Sequence, residues 1–253
     1  MYGRGQQPGM RIGPSMTPPV IKQIMIANAV VFLAQQVAPA TTFYASLIPV
    51  GFWELGYLWQ PFTYMWLHAG FGHIAMNMFM LWMFGSQLAL AWGPKRFLRF
   101  YLICGVGAGL MIATYPYLMM GIHPAGLTAH TLGASGAIYG VLLGYSLTWP
   151  DRTIMLIFPP VAFRAIWLIP GLFLMSMMFS GGQNISHIGH LGGVIVGWIY
   201  LRRQGHANAI FTLSHLKLRW KRYRMRKKLR AVRYEEFEAR RRDHKKNNDR
   251  RYH

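Results

Sequence analysis

The 253-residue chain is apolar, with 53% hydrophobic residues, only 13% charged residues and a mean hydropathy of +0.21. Soluble domains carry about a quarter charged residues, so this composition argues against an ordinary soluble domain and indicates a membrane protein. The net charge of +20 is uneven, because residues 201–253 hold 19 of the 27 Lys and Arg residues. The single cysteine, Cys104, excludes an internal disulfide framework.

This uneven composition divides the chain into three parts. Residues 1–19 are rich in Gly and Pro and lack apolar periodicity, which predicts a flexible cytoplasmic leader. A cleaved signal peptide fits poorly, since the first apolar run carries Lys22 and has no small-residue cleavage pattern. Residues 20–202 form an apolar body, and residues 203–253 are expected to form a basic cytoplasmic tail.

The apolar body contains six stretches, each close to the roughly 20 residues that a helix needs to cross a bilayer. They lie near 20–39, 61–90, 97–119, 133–149, 165–181 and 185–201. Lys and Arg mark every second connection, as the positive-inside rule requires for six spans with both termini in the cytoplasm. The expected fold is therefore an all-α membrane protein built as a six-transmembrane helical bundle. We expect it to be a multi-pass protein of a bacterial plasma (inner) membrane.

Two connections on the outer side are uncharged or nearly so. Residues 40–60 are rich in aromatic side chains, which favour the membrane–water interface, so an interfacial loop is expected between the first two helices. Residues 116–132 lead into a helix that begins at Gly133 or Ser135. Non-helical backbone at membrane depth must lie against protein or water, which predicts a water-filled cavity open to the outside.

Several polar side chains interrupt the apolar body, and polar groups inside membrane spans are candidates for function. Any one of them alone would more often be a structural contact between helices. Their combination is what indicates chemistry. They are His68, His73, Asn77, Ser135, Tyr139, His187 and His190.

Ser135 lies in the sequence Gly133-Ala134-Ser135-Gly136, where the outer loop meets the fourth span. A serine at a helix N-terminus has free backbone N–H groups and a positive dipole end beside it, and both stabilise an oxyanion. The pattern is weak by itself, and it is not the nucleophile elbow of soluble hydrolases.

Two rows of glycines at four-residue spacing allow close packing between membrane helices. They are Gly136, Gly140 and Gly144 on the fourth span, and Gly189, Gly193 and Gly197 on the sixth. If the two rows face each other, His190 comes near Ser135, and Tyr139 could pack on the imidazole ring.

A serine needs a neighbouring base to become a nucleophile, and histidine is the usual one. The only carboxylates before residue 201 are Glu54, which has no neighbouring motif, and Asp151, at the cytoplasmic end of the fourth span. We therefore expect a dyad of Ser135 and His190 without an acid.

His73 and Asn77 share one helical face. They could donate hydrogen bonds to an oxyanion or form a structural polar pair. A metal site is not expected, because the chain lacks an HExxH pattern and a third carboxylate ligand in the body.

Taken together, these residues resemble the motifs of the rhomboid intramembrane serine proteases. The resemblance runs over roughly residues 20–202, in the family's order. It rests on His68-Ala-Gly-Phe-Gly-His73-Ile-Ala-Met-Asn77, Gly133-Ala-Ser135-Gly136-x2-Tyr139 and His190-x2-Gly193-x3-Gly197. One departure is Gln60 after Trp59, where many family members have arginine; no catalytic group is lost.

The resemblance implies a serine endopeptidase that cleaves single-span membrane proteins in or near the transmembrane segment, without a cofactor. It implies Ser135 as nucleophile, His190 as general base, and an oxyanion hole of His73, Asn77 and the Ser135 N–H. Tyr139 would stack on His190. The supporting glycines would be Gly133, Gly136, Gly193 and Gly197.

Two other functions remain open. The first is a non-catalytic protein that binds transmembrane helices, and the second is a transporter or channel with a histidine-lined pore, which the lack of intramembrane carboxylates and internal repeats disfavours. The tail interleaves basic residues with Leu, Trp, Tyr and Met between Lys217 and Lys228, so it could lie on anionic lipid headgroups. No specific nucleic-acid partner is predicted.

Overall fold

The computed structural model describes residues 13–119, 124–155, 161–179 and 184–204, together with isolated residues between 221 and 237. The chain divides into two compact units, Met1–His206 and Ala207–His253. Every helix and strand with described bounds belongs to the first unit. The predicted leader and basic tail therefore lie largely outside the described residues.

The first unit is mostly helical. Three 3₁₀ turns cover Tyr64–Trp66, Pro124–Thr128 and Ala165–Trp167, and a π-helical turn covers Leu81–Gly85. The described helices are α1 (Pro19–Val37), α2 (Pro39–Ala45), α3 (Pro49–Trp53), α4 (Gln60–Thr63), α5 (Phe71–Met80), α6 (Ser86–Trp92), α7 (Pro94–Leu118), α8 (Ser135–Thr148), α9 (Leu168–Phe179) and α10 (Asn184–Arg203).

Three described helices are long and apolar enough to cross a membrane: α1, the continuous helix Phe71–Trp92 that contains α5 and α6, and α7. α8 and α9 are shorter, with 14 and 12 residues, and α10 has 20 residues but carries two histidines. The structure fits an all-α membrane fold, and the count of six spans stays a prediction.

Proline fixes where several helices begin. α1, α2, α3 and α7 each have proline at the first helical position, where its fixed φ suits the helix and its missing N–H needs no acceptor. Between α6 and α7, Gly93 adopts a φ of 84° and Pro94 follows. This Gly-Pro pair ends one helix and starts the next without a loop.

The connection over residues 40–60 contains short helices: α3 lies within it, and α2 begins at Pro39, just before it. Its place in the membrane interface stays a prediction. Pro39 and Pro49 stand at the first positions of these helices, and they were the available sequence signal for helix starts. Composition alone reflected the aromatic residues of this segment and missed its helices.

A short two-stranded antiparallel sheet accompanies the helices and leaves the all-α class unchanged. β1 (Thr153–Met155) pairs with β2 (Ala162–Arg164), with Ile154 opposite Phe163. β-Branched and aromatic side chains favour this pairing, and Pro159-Pro160 between the strands disfavours a continuous helix. The hairpin follows α8, where the sequence predicted only a loop.

α8 is the most enclosed helix, since every residue from Gly136 to Leu147 is buried. It packs against α7 and α10, as suits a helix that is apolar on all sides. The glycine rows of α8 and α10 face each other: a Cβ on Gly193 would fall on the carbonyl oxygen of Gly136, and one on Gly197 would lie 3.4 Å from Gly140 Cα. The two helix backbones therefore touch directly.

Candidate active site

The first turn of α8 is placed by the glycine two residues before Ser135. Gly133 has a φ of 132°, and a Cβ at this position would lie 2.8 Å from Cε1 of His73, so glycine is needed for both conformation and space. The Gly133 N–H donates to the carbonyl oxygen of Tyr64 at 2.9 Å. Ser135 then begins α8.

The first N–H groups of α8 are free of intrahelical acceptors, as at any helix N-terminus. The N–H of Ile138 donates to the carbonyl oxygen of Ala134 at 3.0 Å. The N–H groups of Ser135, Gly136 and Ala137 precede that bond. They can stabilise negative charge that develops beside the serine.

His190, on α10, stacks on the ring of Tyr139. The ring centroids are 4.1 Å apart and the planes differ by 10°. Phe173 meets the same tyrosine edge-on at 6.1 Å, and His187 meets His190 edge-on at 6.4 Å. Within the described part of the chain, Nδ1 of His190 is buried and has no hydrogen-bond partner, so Nε2 is the nitrogen left to exchange a proton.

One cavity of about 340 Å³ brings the expected reactive side chains together. Its lining includes Ser135, His190, His73, Asn77, Tyr139 and Gly133. The apolar part of its wall includes Met76, Met80, Leu142 and Leu172. Of the expected supporting glycines, Gly136 also lines the cavity, whereas Gly193 and Gly197 lie behind it in the contact between α8 and α10.

His73 has one ring nitrogen that accepts and one that faces the serine. The N–H of Ala69 donates to Nδ1 at 3.4 Å, so a neutral ring carries its proton on Nε2. A Cβ built on Gly133 would lie 2.9 Å from this Nε2 and 3.8 Å from Ser135 Oγ. The histidine therefore presents an N–H donor close to the serine hydroxyl.

Asn77 supplies a second donor to the same cavity. Its side chain is only 6% exposed, and among the described residues its Nδ2 has no hydrogen-bond partner. Buried polar groups are nearly always hydrogen-bonded. An unpaired amide that lines a cavity is therefore available to a ligand.

His68 does not line the cavity but supports His73 from behind. The two rings meet edge to face at 5.1 Å. The backbone of His68 is held by Gln35 of α1, which accepts its N–H at 2.9 Å and donates to its carbonyl oxygen at 3.3 Å. Gln35 was not among the residues expected at the site, although a glutamine in an apolar stretch was a usable signal.

Tyr64 is a second residue that holds the site in place and was not expected from the sequence. Its hydroxyl donates to the carbonyl oxygen of Gly105 at 2.8 Å, and its own carbonyl accepts the N–H of Gly133. One residue thus ties α7 to the loop that carries the serine. Tyrosine is common in apolar segments, so the sequence around Tyr64 did not indicate this role.

Neither body carboxylate lines the described part of the cavity. Glu54 accepts a hydrogen bond from the Tyr117 hydroxyl at 2.7 Å, and Asp151 forms an exposed ion pair with Arg164 at 3.6 Å. The described residues also contain no group of three His, Cys, Asp or Glu side chains that could hold a metal ion. The expectation that no cofactor or metal is needed stays a prediction.

The sequence was then compared with known protein families. The family model described as the Rhomboid domain matches residues 55–204, which is more than half of the chain. The chain belongs to the rhomboid family. The prediction made from the three motifs is thereby confirmed at the level of the family.

Three curated relatives illustrate the similarity of this rhomboid-family chain. Rhomboid protein 1, mitochondrial, of Saccharomyces cerevisiae is 32% identical over 139 residues, covering 53% of this chain and 38% of the yeast protein. RHOMBOID-like protein 12, mitochondrial, of Arabidopsis thaliana is 29% identical over 201 residues, covering 73% and 59%. Presenilin-associated rhomboid-like protein, mitochondrial, of Homo sapiens is 31% identical over 137 residues, covering 53% and 35%.

The matched regions span less than two thirds of the length of each of these relatives. All three relatives are named as mitochondrial, so the similarity gives no support to the expected bacterial plasma membrane. The family and the apolar helices do support an integral membrane protein.

Proposed function

We propose that this rhomboid-family chain is an intramembrane serine endopeptidase that cleaves single-span membrane proteins in or near their transmembrane segments. Ser135 is the nucleophile and His190 the general base. The observation that carries the proposal is the cavity they share, in which the His190 ring is fixed against Tyr139 at 4.1 Å. A serine beside an oriented imidazole is the arrangement that covalent acyl transfer requires.

The reaction follows from these two groups. As Ser135 Oγ attacks the scissile carbonyl carbon, Nε2 of His190 takes the hydroxyl proton. The same nitrogen then gives that proton to the departing amine, which leaves the acyl group on the serine. Water repeats the sequence against the acyl-enzyme, with the imidazole as base, and releases the new carboxyl terminus.

A dyad suffices in this scheme, because the ring of His190 is oriented by stacking and not by a carboxylate. In a triad, the acid holds the imidazole in the correct tautomer and orientation. Here the face of Tyr139 fixes the ring plane, and burial of Nδ1 leaves Nε2 toward the open side. No carboxylate among the described lining residues competes for that role.

The oxyanion of the tetrahedral intermediate would receive hydrogen bonds from three donors. They are Nε2–H of His73, Nδ2 of Asn77 and the backbone N–H of Ser135. The hydrogen bond from Ala69 to the opposite ring nitrogen of His73 supports the first, and the unpaired buried amide supports the second. Preorganised donors of this kind contribute strongly to acyl transfer.

The same proposal includes the six-span topology and the substrate class. Three apolar helices and positive charge at alternate connections support a multi-pass protein with both termini on one side. A substrate helix in lipid has its backbone fully hydrogen-bonded, so it must unwind locally before the serine can reach a peptide bond. The basic tail would rest on anionic lipid headgroups.

The test is activity of the detergent-purified protein toward a fluorophosphonate probe and a fluorescent single-span reporter. Ser135→Ala and His190→Ala should abolish both labelling and cleavage. The matched controls are Ser146→Ala, on the same helix with its hydroxyl bonded to Leu142, and His187→Ala, one turn before the proposed base. Both controls should remain active.

Other outcomes would redirect the assignment. Loss of activity in His187→Ala with activity retained in His190→Ala would move the base to the other histidine. Folded wild-type protein that neither labels nor cleaves, yet captures the reporter, would overturn the protease and favour the helix-binding function.

A further inference from the structure

The loop that leads to the serine is attached to a distant part of the chain. We call residues 129–134 the serine loop. Leu47 and Thr131 form an isolated antiparallel bridge, with N–H to O distances of 2.8 and 2.9 Å in the two directions. Next to this bridge, Ser46 Oγ and His130 Nδ1 lie 2.9 Å apart. The segment that contains α2 and α3 thus holds the serine loop at two consecutive positions.

The direction of the hydrogen bond between Ser46 and His130 depends on the tautomer of the imidazole ring. Ser46 is fully buried, and its hydroxyl donates to the carbonyl oxygen of Phe43 at 3.1 Å. A hydroxyl has a single proton, so while that proton is on the Phe43 carbonyl, Oγ accepts the second bond and His130 donates it from Nδ1–H. Both the neutral Nδ1–H tautomer and the imidazolium satisfy this requirement. The ring of Phe43 packs against the same imidazole at 5.0 Å.

The segment that contains α2 and α3 is itself hydrogen-bonded to α4, so its position is fixed by the helical body of the protein. Gln60 is fully buried, accepts the N–H of Ile48 at 3.0 Å and donates to the carbonyl oxygen of Tyr44 at 3.3 Å. Thr63 adds a bond to the carbonyl oxygen of Ala45 at 2.8 Å. Gln60 stands where many family members have arginine, and here it serves as an anchor of the segment.

The serine loop extends from its contact with Ser46 and Leu47 to the wall of the cavity. Thr131, Leu132 and Gly133 all line the cavity, and Ser135 follows Thr131 by only four residues. Gly133 is held separately by Tyr64. The backbone that leads to the Ser135 N–H is therefore fixed first by the contact with Ser46 and Leu47, and then by Tyr64.

From this arrangement we infer that Ser46 and His130 are positioning residues for catalysis. Their hydrogen bond, with the Leu47–Thr131 bridge, holds the serine loop so that the Ser135 N–H and Oγ meet the substrate carbonyl correctly. The inference rests on the proposed function. Its physical basis is the steep dependence of rate on geometry, since a displacement of about 1 Å can reduce a rate about 100-fold.

The test compares four single variants of the full-length protein in the reporter assay. Ser46→Ala and His130→Leu remove the bond from either side. His130→Asn keeps an N–H donor near the position of Nδ1. Thr41→Ala is the matched control, because its exposed hydroxyl donates to the carbonyl oxygen of Ala38, the residue just before α2, and not to the serine loop. Thermal unfolding establishes the temperature at which all variants are folded.

We expect Ser46→Ala and His130→Leu to lower kcat and the fluorophosphonate labelling rate about tenfold, because the serine loop loses a hydrogen bond that attaches it to Ser46. KM should stay within about twofold of wild type. His130→Asn should recover activity to within about threefold, and Thr41→Ala should match wild type. The double variant should lose no more than the worse single variant, because both remove the same bond.

Wild-type kcat in both Ser46→Ala and His130→Leu would overturn the inference, as would a change in KM alone. Hydrogen–deuterium exchange of residues 129–134 tests the positioning contact without requiring the proposed protease activity. If the wild type neither labels nor cleaves, the proposed function fails. Faster exchange of the serine loop in Ser46→Ala would then still support the positioning contact, and unchanged exchange would overturn it.

Discussion

Replacing Gly193 with alanine tests how closely α8 and α10 approach. A Cβ at this position would coincide with the carbonyl oxygen of Gly136, which is a backbone atom of the facing helix. No rotamer change can relieve such an overlap, so the two helices must separate. At two other glycines, an added Cβ would meet a flexible side chain or no atom at all. A Cβ on Gly105 would meet the end of the Met65 side chain at 2.5 Å, and one on Gly171 would meet nothing within 4 Å.

The atoms that each added Cβ would meet predict how much unfolding free energy each variant loses. Overpacking costs about 1–3 kcal/mol, and a backbone obstacle puts Gly193→Ala at the upper end, about 3 kcal/mol of unfolding free energy. Gly105→Ala should lose about 1 kcal/mol, because the Met65 thioether can turn aside. Gly171→Ala should stay within about 0.5 kcal/mol of wild type, as an exposed substitution does.

The assay is equilibrium unfolding of the detergent-solubilised protein by titration with SDS, followed by tryptophan fluorescence. Reporter cleavage is measured in parallel, since His190 lies one turn before Gly193 on α10 and should move with it. If Gly193→Ala unfolds like Gly171→Ala and cleaves normally, the direct backbone contact is wrong. An order in which Gly105→Ala is the most damaging would equally refute the reasoning.

Three further predictions concern single side chains. Asn77→Ala should lower kcat about 10²–10³-fold with little change in KM, because it removes one oxyanion donor; normal kcat in the reporter assay would exclude it from that role. Tyr139→Phe keeps the stacked ring and should cleave within about threefold of wild type, whereas Tyr139→Leu should lose about 0.5–1.5 kcal/mol of ring contact and about two- to tenfold in rate. Gln35→Leu should lower the unfolding free energy by about 1–3 kcal/mol, because it leaves buried backbone groups unsatisfied. Its neighbour Gln36 is exposed and bonds only within its own helix, so Gln36→Leu should have little effect, and equal losses would contradict the role of Gln35.

The parts of the candidate site that depend on helix periodicity could be predicted from local features of the sequence. A glycine at every fourth position lies on one helical face, so the rows through Gly136 and Gly193 could be read directly as a contact between two helices. The start of α8 at Ser135 was expected because an apolar stretch begins there, after Gly133. The relation of His73 to Asn77 likewise needed only their four-residue spacing.

Features that depend on long-range contacts could not be read in this way. Gln35 reaches His68 across 33 positions of sequence, and Ser46 reaches His130 across 84. No periodic pattern marks such pairs, because each partner looks like an ordinary polar residue in its own segment. The strands after α8 are only three residues long, too short for an alternating pattern to emerge.

The length of α8 has a consequence for the membrane itself. Its 14 residues span about 21 Å at 1.5 Å per residue, whereas a hydrocarbon core is about 30 Å thick. If the C-terminal end of α8 lies at the inner boundary of the core, Ser135 lies about 9 Å below the outer boundary. Longer lipid acyl chains would lower the serine further from bulk water, and shorter ones would raise it. In the proposed reaction, hydrophobic mismatch between helix and bilayer would then govern how readily water reaches the acyl-enzyme, so that lipid composition would act on the proposed turnover.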